Sequence, residues 1–271
     1  MNIFVRSSGF VFMIRQSLIK KGVGSKDGFH FRGSEPSRMD AFTDAVFAFA
    51  ITLLVVSLEV PQSTSELFET IQGFVPFGIC IVLLMQVWFS HYHFSLRYGL
   101  TDNYTMYLNV FLLFVVLFYV YPLKFLFTFL FKLLLYLLAA IFSSPSALAL
   151  KTELFDQMIR NPEHMNGLML IYGAGAAAMF LVFYFLYRHA FRKKEELKLS
   201  TIELFETRTS MNRHLLMAIV PLFSIIITLL LSIKLSWQAG AIGGVAYCLY
   251  GIAIPVYETI MGKRRKKLFP E

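Results

Sequence analysis

Residues 38–61 read RMDAFTDAVFAFAITLLVVSLEVP. From Phe42 to Val60 the run approaches the roughly 20 apolar residues that carry a helix across a hydrocarbon core. Asp44 stands near one end, Glu59 near the other, and Pro61 closes it. An ionisable side chain is costly in hydrocarbon unless it faces protein or a water-filled path, so both carboxylates are candidate functional groups.

Five further segments have the length and composition of a span: Ile71 to Ser90, Tyr104 to Leu123, Asn166 to Tyr187, Leu215 to Ile233 and Ala239 to Tyr257. None of these five contains an acid. Of the 271 residues, 57% are hydrophobic and 15% charged, with a mean hydropathy of +0.63. Soluble domains carry nearer a quarter charged residues, so the composition predicts an all-α membrane protein of six transmembrane helices rather than a soluble fold. A further apolar run, Phe125 to Phe142, is interrupted by Lys132 and has no polar loop before it. It reads as a continuation of a long third helix or as an interfacial segment.

Loop charge sets the orientation, because Lys and Arg gather on the cytoplasmic side. With six spans and both termini inside, the inside segments hold 20 of the 25 basic residues. They are concentrated in Met1 to Ala41, Arg188 to His214 and Lys263 to Lys267. A seventh span at Phe125 to Phe142 would place the basic Arg188 to His214 loop outside. The organisation expected is a cytoplasmic tail over 1–37, a six-helix domain over 38–257, and a basic cytoplasmic tail over 258–271. Gly22 to Pro36 reads as a flexible lead-in, Arg192 to Arg208 as a solvated helix of mixed charge, and Lys263 to Lys267 as a topology anchor beside anionic lipids.

Several function classes lose support. The net charge of +8 belongs to the loops of a membrane protein, which argues against nucleic acid as a partner. Cys80 and Cys248 lie inside apolar runs, outside any disulfide framework or closed zinc site. The usual signatures of metal, nucleophilic and phosphoryl chemistry are missing, so neither an enzyme nor a cofactor is expected. His91 and His93 point about 200° apart on a helix and cannot share one ion. Gly173 to Ala178 fits a dinucleotide fingerprint in letters, but it lies mid-helix where no strand precedes it. Its small residues, like Gly240 and Gly244, serve close helix approach instead.

The pattern R-x-x-x-F-T-D-A at Arg38 to Ala45, followed by an apolar helix containing Thr52-Leu53 and ending at Pro61, resembles the endosomal and lysosomal potassium channel family of the transmembrane-protein-175 type. Trp88-Phe-Ser-His91 at the end of the second span resembles that family's Trp-x-x-His, and Asn109 stands early in the third span, where the family has an Asn. The resemblance implies a potassium-preferring cation channel whose first helix lines the pore. Because the chain holds one such repeat, it also implies a homotetramer in the lipid bilayer with four first helices around the axis, in a prokaryotic plasma membrane.

By the same resemblance, Phe49, Leu53 and Val56 fall at the apolar constriction and Thr52 at a hydroxyl that biases selectivity. Helical geometry agrees that Phe49, Leu53 and Val56 share a stripe, with Thr52 and Glu59 on its flank. Glu59 can form a carboxylate ring at the outer mouth. Arg38, Asp44, Trp88, His91 and Asn109 are assigned to a buried polar network that braces the first three helices. Alternatives stay open: the stripe can be a packing face, Thr52 can bond its own helix, and the fold can conduct protons or serve as a non-conducting scaffold. Phe49 departs from the Ile or Leu usual at the family's constriction, Thr43 from the usual Ser, and Tyr92 from a common second His.

Overall fold

A computed structural model of the chain describes residues 29–33, 35–56, 62–141, 162–235 and 238–270, and within them no strand occurs. The helices are α1 (Arg38–Val56), α2 (Thr64–Tyr98), α3 (Asn103–Ile141), α4 (Pro162–Arg192), α5 (Thr201–Ser232), α6 (Gln238–Val245) and α7 (Tyr250–Leu268). A 3-10 turn, Ala246–Leu249, joins the last two. Among the described residues, five helical stretches are long and apolar enough to cross a membrane: Gly73–Tyr98, Asn103–Ile141, Asn166–Arg192, Thr201–Ser232 and Gln238–Leu268. α1, with 19 described residues and three charges in its first two turns, stands outside that set.

The apolar run at 125–141 continues α3 without a break, giving a helix of 39 residues. At 1.5 Å per residue it is about 58 Å long, nearly twice a hydrocarbon core of about 30 Å. The last expected span is instead divided by the 3-10 turn, which follows Gly243-Gly244, where two residues of low helix propensity are adjacent.

α1, α2 and α3 pack together, and α4 joins them to a second group of α5, α6 and α7. The joint between the groups is Tyr119 on α3. Its hydroxyl donates to the carbonyl of Tyr172 at 2.8 Å, and its ring lies so close to Gly175 that a Cβ there would sit 2.4 Å from it. Only glycine allows this approach, which gives the small-residue run of α4 its purpose. The buried core runs through both groups and includes Phe47, Leu54, Leu112, Val116, Phe183 and Leu186.

α5 and α7 run antiparallel, as four contacts stepping in opposite directions along the two helices establish. Tyr250 donates to the Met217 carbonyl at 2.6 Å and Tyr257 to that of Thr209 at 2.9 Å. Arg213 pairs with Glu258 at 3.2 Å, and Arg265 Nε lies 2.8 Å from Glu206.

Two stretches differ from the sequence expectation. Residues 29–33, the described end of the expected flexible lead-in, form a docked strap. Arg32 holds Glu203 with both arms of its guanidinium, at 2.8 and 3.0 Å, and its Nε donates to the Leu197 carbonyl at 2.6 Å. Phe29 is buried edge-on against Tyr98, beneath the Arg97 guanidinium. The Gly33 amide donates to Leu96, and a Cβ on Gly33 would lie 2.1 Å from the Ser95 carbonyl oxygen. The expected solvated helix at Arg192 to Arg208 is in fact the end of α4, a turn, and the start of α5. There Ser200 and Glu203 form a reciprocal cap, and Glu203 and Thr207 are buried.

Asp102 caps α3, accepting from Thr105 Oγ1 at 2.8 Å, and pairs with Nε2 of His189 on α4 at 2.8 Å. Partial burial pushes the Asp102 carboxyl up, but the Thr105 hydrogen bond and the His189 imidazole outweigh it and hold the group below the usual carboxylate range. A carboxylate depressed in the folded state stabilises it above that range and loses the contribution as pH falls through it. Asp102→Asn keeps a capping side chain and removes the charge. Thermal melts of wild type and Asp102→Asn should therefore differ at pH 7 and converge as the pH drops below about 4; a constant gap would show that the charge contributes nothing.

Candidate functional site

The site is built on α1. Its first turn is fixed by a reciprocal cap: the Ser37 amide donates to Asp40 Oδ2 at 2.8 Å, and the Asp40 amide donates to Ser37 Oγ at 3.1 Å. The other Asp40 oxygen accepts from Ser95 Oγ on α2. One turn on, Asp44 Oδ1 accepts from Trp88 Nε1 at 2.7 Å, and the indole stacks on Tyr92. Two carboxylates on one side of α1 are thus held by two donors on α2.

This sets the rotation of the helix about its axis. Thr43, Phe47, Ala50 and Leu54 turn inward and are fully or nearly fully buried. The opposite face carries Phe42, Ala45, Ala48, Phe49, Thr52 and Val55, all exposed within the single chain. Phe49 is 55% exposed, a large value for a phenyl ring midway along a helix whose other side is sealed. Thr52 Oγ1 donates to the Ala48 carbonyl at 2.9 Å. That bond uses the hydroxyl proton and leaves the oxygen lone pairs on the exposed face.

Of the residues expected at a constriction, Phe49 and Thr52 share the exposed face, while Leu53 is half-buried against the core of its own chain. Val56 ends the described helix. Glu59 lies outside the described residues.

The expected network divides. Asp44 and Trp88 are directly bonded, and His91, one turn beyond Trp88, is buried at 3% exposure. Arg38 is exposed and joins no hydrogen bond or ion pair among the described residues. It lines, with Ser37, Leu100 and Thr101, a cavity of about 150 Å³ whose wall includes the buried Asn109. His93 is exposed and points away from His91, as the two-residue spacing requires. No group of three or more His, Cys, Asp or Glu able to hold a metal occurs among the described residues.

Asp40 was not singled out by the sequence, although its three-residue spacing from Ser37 is a capping signal. Arg32 and Glu203 were missed as well, and no local pattern connects residues 171 apart.

Removing the Trp88 donor leaves a carboxylate partly buried without that bond, at a cost of about 1–3 kcal/mol. Trp88→Phe and Asp44→Ala should each lower the melting temperature, and the double variant should be less destabilised than their sum. Additive losses would mean that the 2.7 Å bond couples nothing.

Comparison with known proteins follows the same residues. The model of the family described as endosomal/lysosomal potassium channel TMEM175 matches residues 38–119, which span α1, α2 and the first half of α3. A potassium channel of Marivirga tractuosa is 39% identical over 249 residues, covering 92% of this chain and 97% of that protein. A potassium channel of Chamaesiphon minutus is 33% identical over 97 residues, 33% of this chain and 48% of the relative. Among solved structures, a variant of the potassium channel MtTMEM175, crystallised with a nanobody–MBP fusion protein, matches with a TM-score of 0.71 at 38% identity. That match covers 87% of this chain and 97% of the other. The family and these relatives are ion channels rather than enzymes, and the long apolar helices agree with a multi-pass membrane protein. On the strength of a relative matched over nearly its whole length, the chain belongs to the TMEM175 potassium channel family.

Proposed function

We propose that the protein is a potassium-preferring cation channel, a homotetramer with four copies of α1 around a central path. The observation that carries the reading is the exposed face of α1, from Phe42 through Phe49 and Thr52 to Val55. Among the described residues nothing covers it, although Asp40 and Asp44 fix its direction. One helix encloses nothing, and four related by symmetry enclose a path lined by that face. The potassium channels among its relatives favour the ion.

The chemistry of the face suits gating and weak selection. Phe49 supplies an apolar ring that closes a narrow path by dewetting, with Leu53 and Val56 continuing the constriction on its flank. Thr52, its proton committed to Ala48, presents oxygen lone pairs that partly replace an ion's water. Potassium gives up water more readily than sodium, so such a ring favours it. Glu59 would stand beyond, as a carboxylate ring concentrating cations. Asp44 and Trp88 brace the base of the helix, with His91 and Asn109 buried and Arg38 on the wall of the adjoining cavity. The charge asymmetry of the loops supports six spans with both termini cytoplasmic, and the bacterial relatives support a prokaryotic plasma membrane.

The test is potassium-driven flux into liposomes holding the purified protein, with sodium and proton-only controls. Phe49→Ala should raise flux severalfold by removing the apolar seal. Flux that follows only the proton gradient would identify a proton pore, and silence from wild type and variant alike, in protein shown to be tetrameric, would identify a non-conducting scaffold. Thr52→Ala should lower the potassium-to-sodium permeability ratio by a few-fold with the tetramer intact. An unaltered ratio would confine Thr52 to helix packing.

A further inference from the structure

The basic run that ends the chain is sorted by the helix into two faces. At about 100° per residue, Lys263, Arg264, Lys266 and Lys267 fall within an arc of about 160°, and Arg265 falls opposite its centre. Arg265 lies 2.8 Å from Glu206 of α5, and Glu258, on the same side as Arg265, pairs with Arg213 of α5. The inward charges of α7 are therefore neutralised against α5. The four outward cations are all exposed and join no ion pair among the described residues.

The outward arc continues along α7 as an apolar stripe. Ile252, Val256 and Ile260 lie on it one turn apart, 68%, 51% and 44% exposed. They span about 12 Å of axis and give way to Lys263 within one turn. Thr259, near the same face, has its hydroxyl committed to the Pro255 carbonyl at 2.7 Å. An apolar stripe some 12 Å long that ends in four unpaired cations has the dimensions and polarity of the boundary between acyl chains and phosphate headgroups.

We propose that this face of α7 is a binding site for an anionic phospholipid, its acyl chains against Ile252, Val256 and Ile260 and its headgroup among Lys263, Arg264, Lys266 and Lys267. Charge complementarity selects the lipid over a second copy of the chain, whose corresponding face would bring four like charges against four. The inference requires only that the chain lies in a membrane, so a failed flux assay leaves it standing.

Native mass spectrometry of the purified protein, supplied with equal amounts of phosphatidylglycerol and phosphatidylcholine, reads the preference directly. The wild type should retain the anionic lipid in several-fold excess, and inorganic phosphate should not displace it. Each neutralising substitution among Lys263→Gln, Arg264→Gln, Lys266→Gln and Lys267→Gln should lower the preference by up to about fivefold. The combined variant should lose it, while Arg265→Gln should keep it. Should the combined variant fail to fold, raising salt towards 1 M should abolish the wild-type preference. A preference that survives both neutralisation and salt, one that Arg265→Gln removes as fully as the combined variant, or a change of oligomeric state without a change in lipid retained, would overturn the proposal.

Discussion

A carboxylate buried or half-buried at the head of a helix has to be satisfied by protein, because burial removes the water that would otherwise solvate it. α1 carries two, Asp40 and Asp44, and α2 answers both, with Ser95 and Trp88. Their spacing of four residues places them on one side of the helix, so the two bonds fix its rotation as well as its distance from α2. The faces follow: Phe47, Ala50 and Leu54 have to enter the core, and Phe49 and Thr52 have to leave it. The exposed phenyl ring is thus a consequence of where the acids are held.

The same economy recurs elsewhere. Glu203 is almost fully buried, yet its two oxygens are engaged by Arg32 and by the amides of His30 and Ser200. Asp102 answers both the first turn of α3 and the last turn of α4. Asp40, Asp102 and Glu203 each close a helix end and join it to a second element, so these polar contacts gather where α1, α3 and α5 begin and α2 and α4 end. The long apolar walls between them are left to packing, in which Gly175 and Tyr119 set the closest approach.

Much of the architecture was legible because hydrocarbon allows few solutions: the five expected spans after the first coincide with long apolar helical stretches, their limits set by where polar residues resume. The first helix was legible in its chemistry too, since an acid in an apolar run demands a partner, and Trp88 is the bonded partner of Asp44. The phase of that helix was harder to read. A 100° wheel places Phe49 and Leu53 on one stripe, but only the partners on α2 determine that Leu53 leans towards its own core while Phe49 faces away. The strap at 29–33 was illegible for a different reason. The glycines and charges of the surrounding 22–36 stretch look like a solvated lead-in, and the carboxylate that gives Arg32 its place lies 171 residues further along. The 3-10 turn before α7 likewise has no periodic signal, because it interrupts a run that remains apolar throughout.

The strap and the cap together clamp the first turn of α1. Arg32 is tied to α5, and five residues later Ser37 and Asp40 begin α1 tied to α2, so the base can neither slide nor turn without breaking charge-assisted bonds. Phe49 lies about 18 Å from Ser37 along the axis, so a tilt of about 5° at the base carries its ring sideways by about 1.6 Å, comparable with the radius of a water molecule.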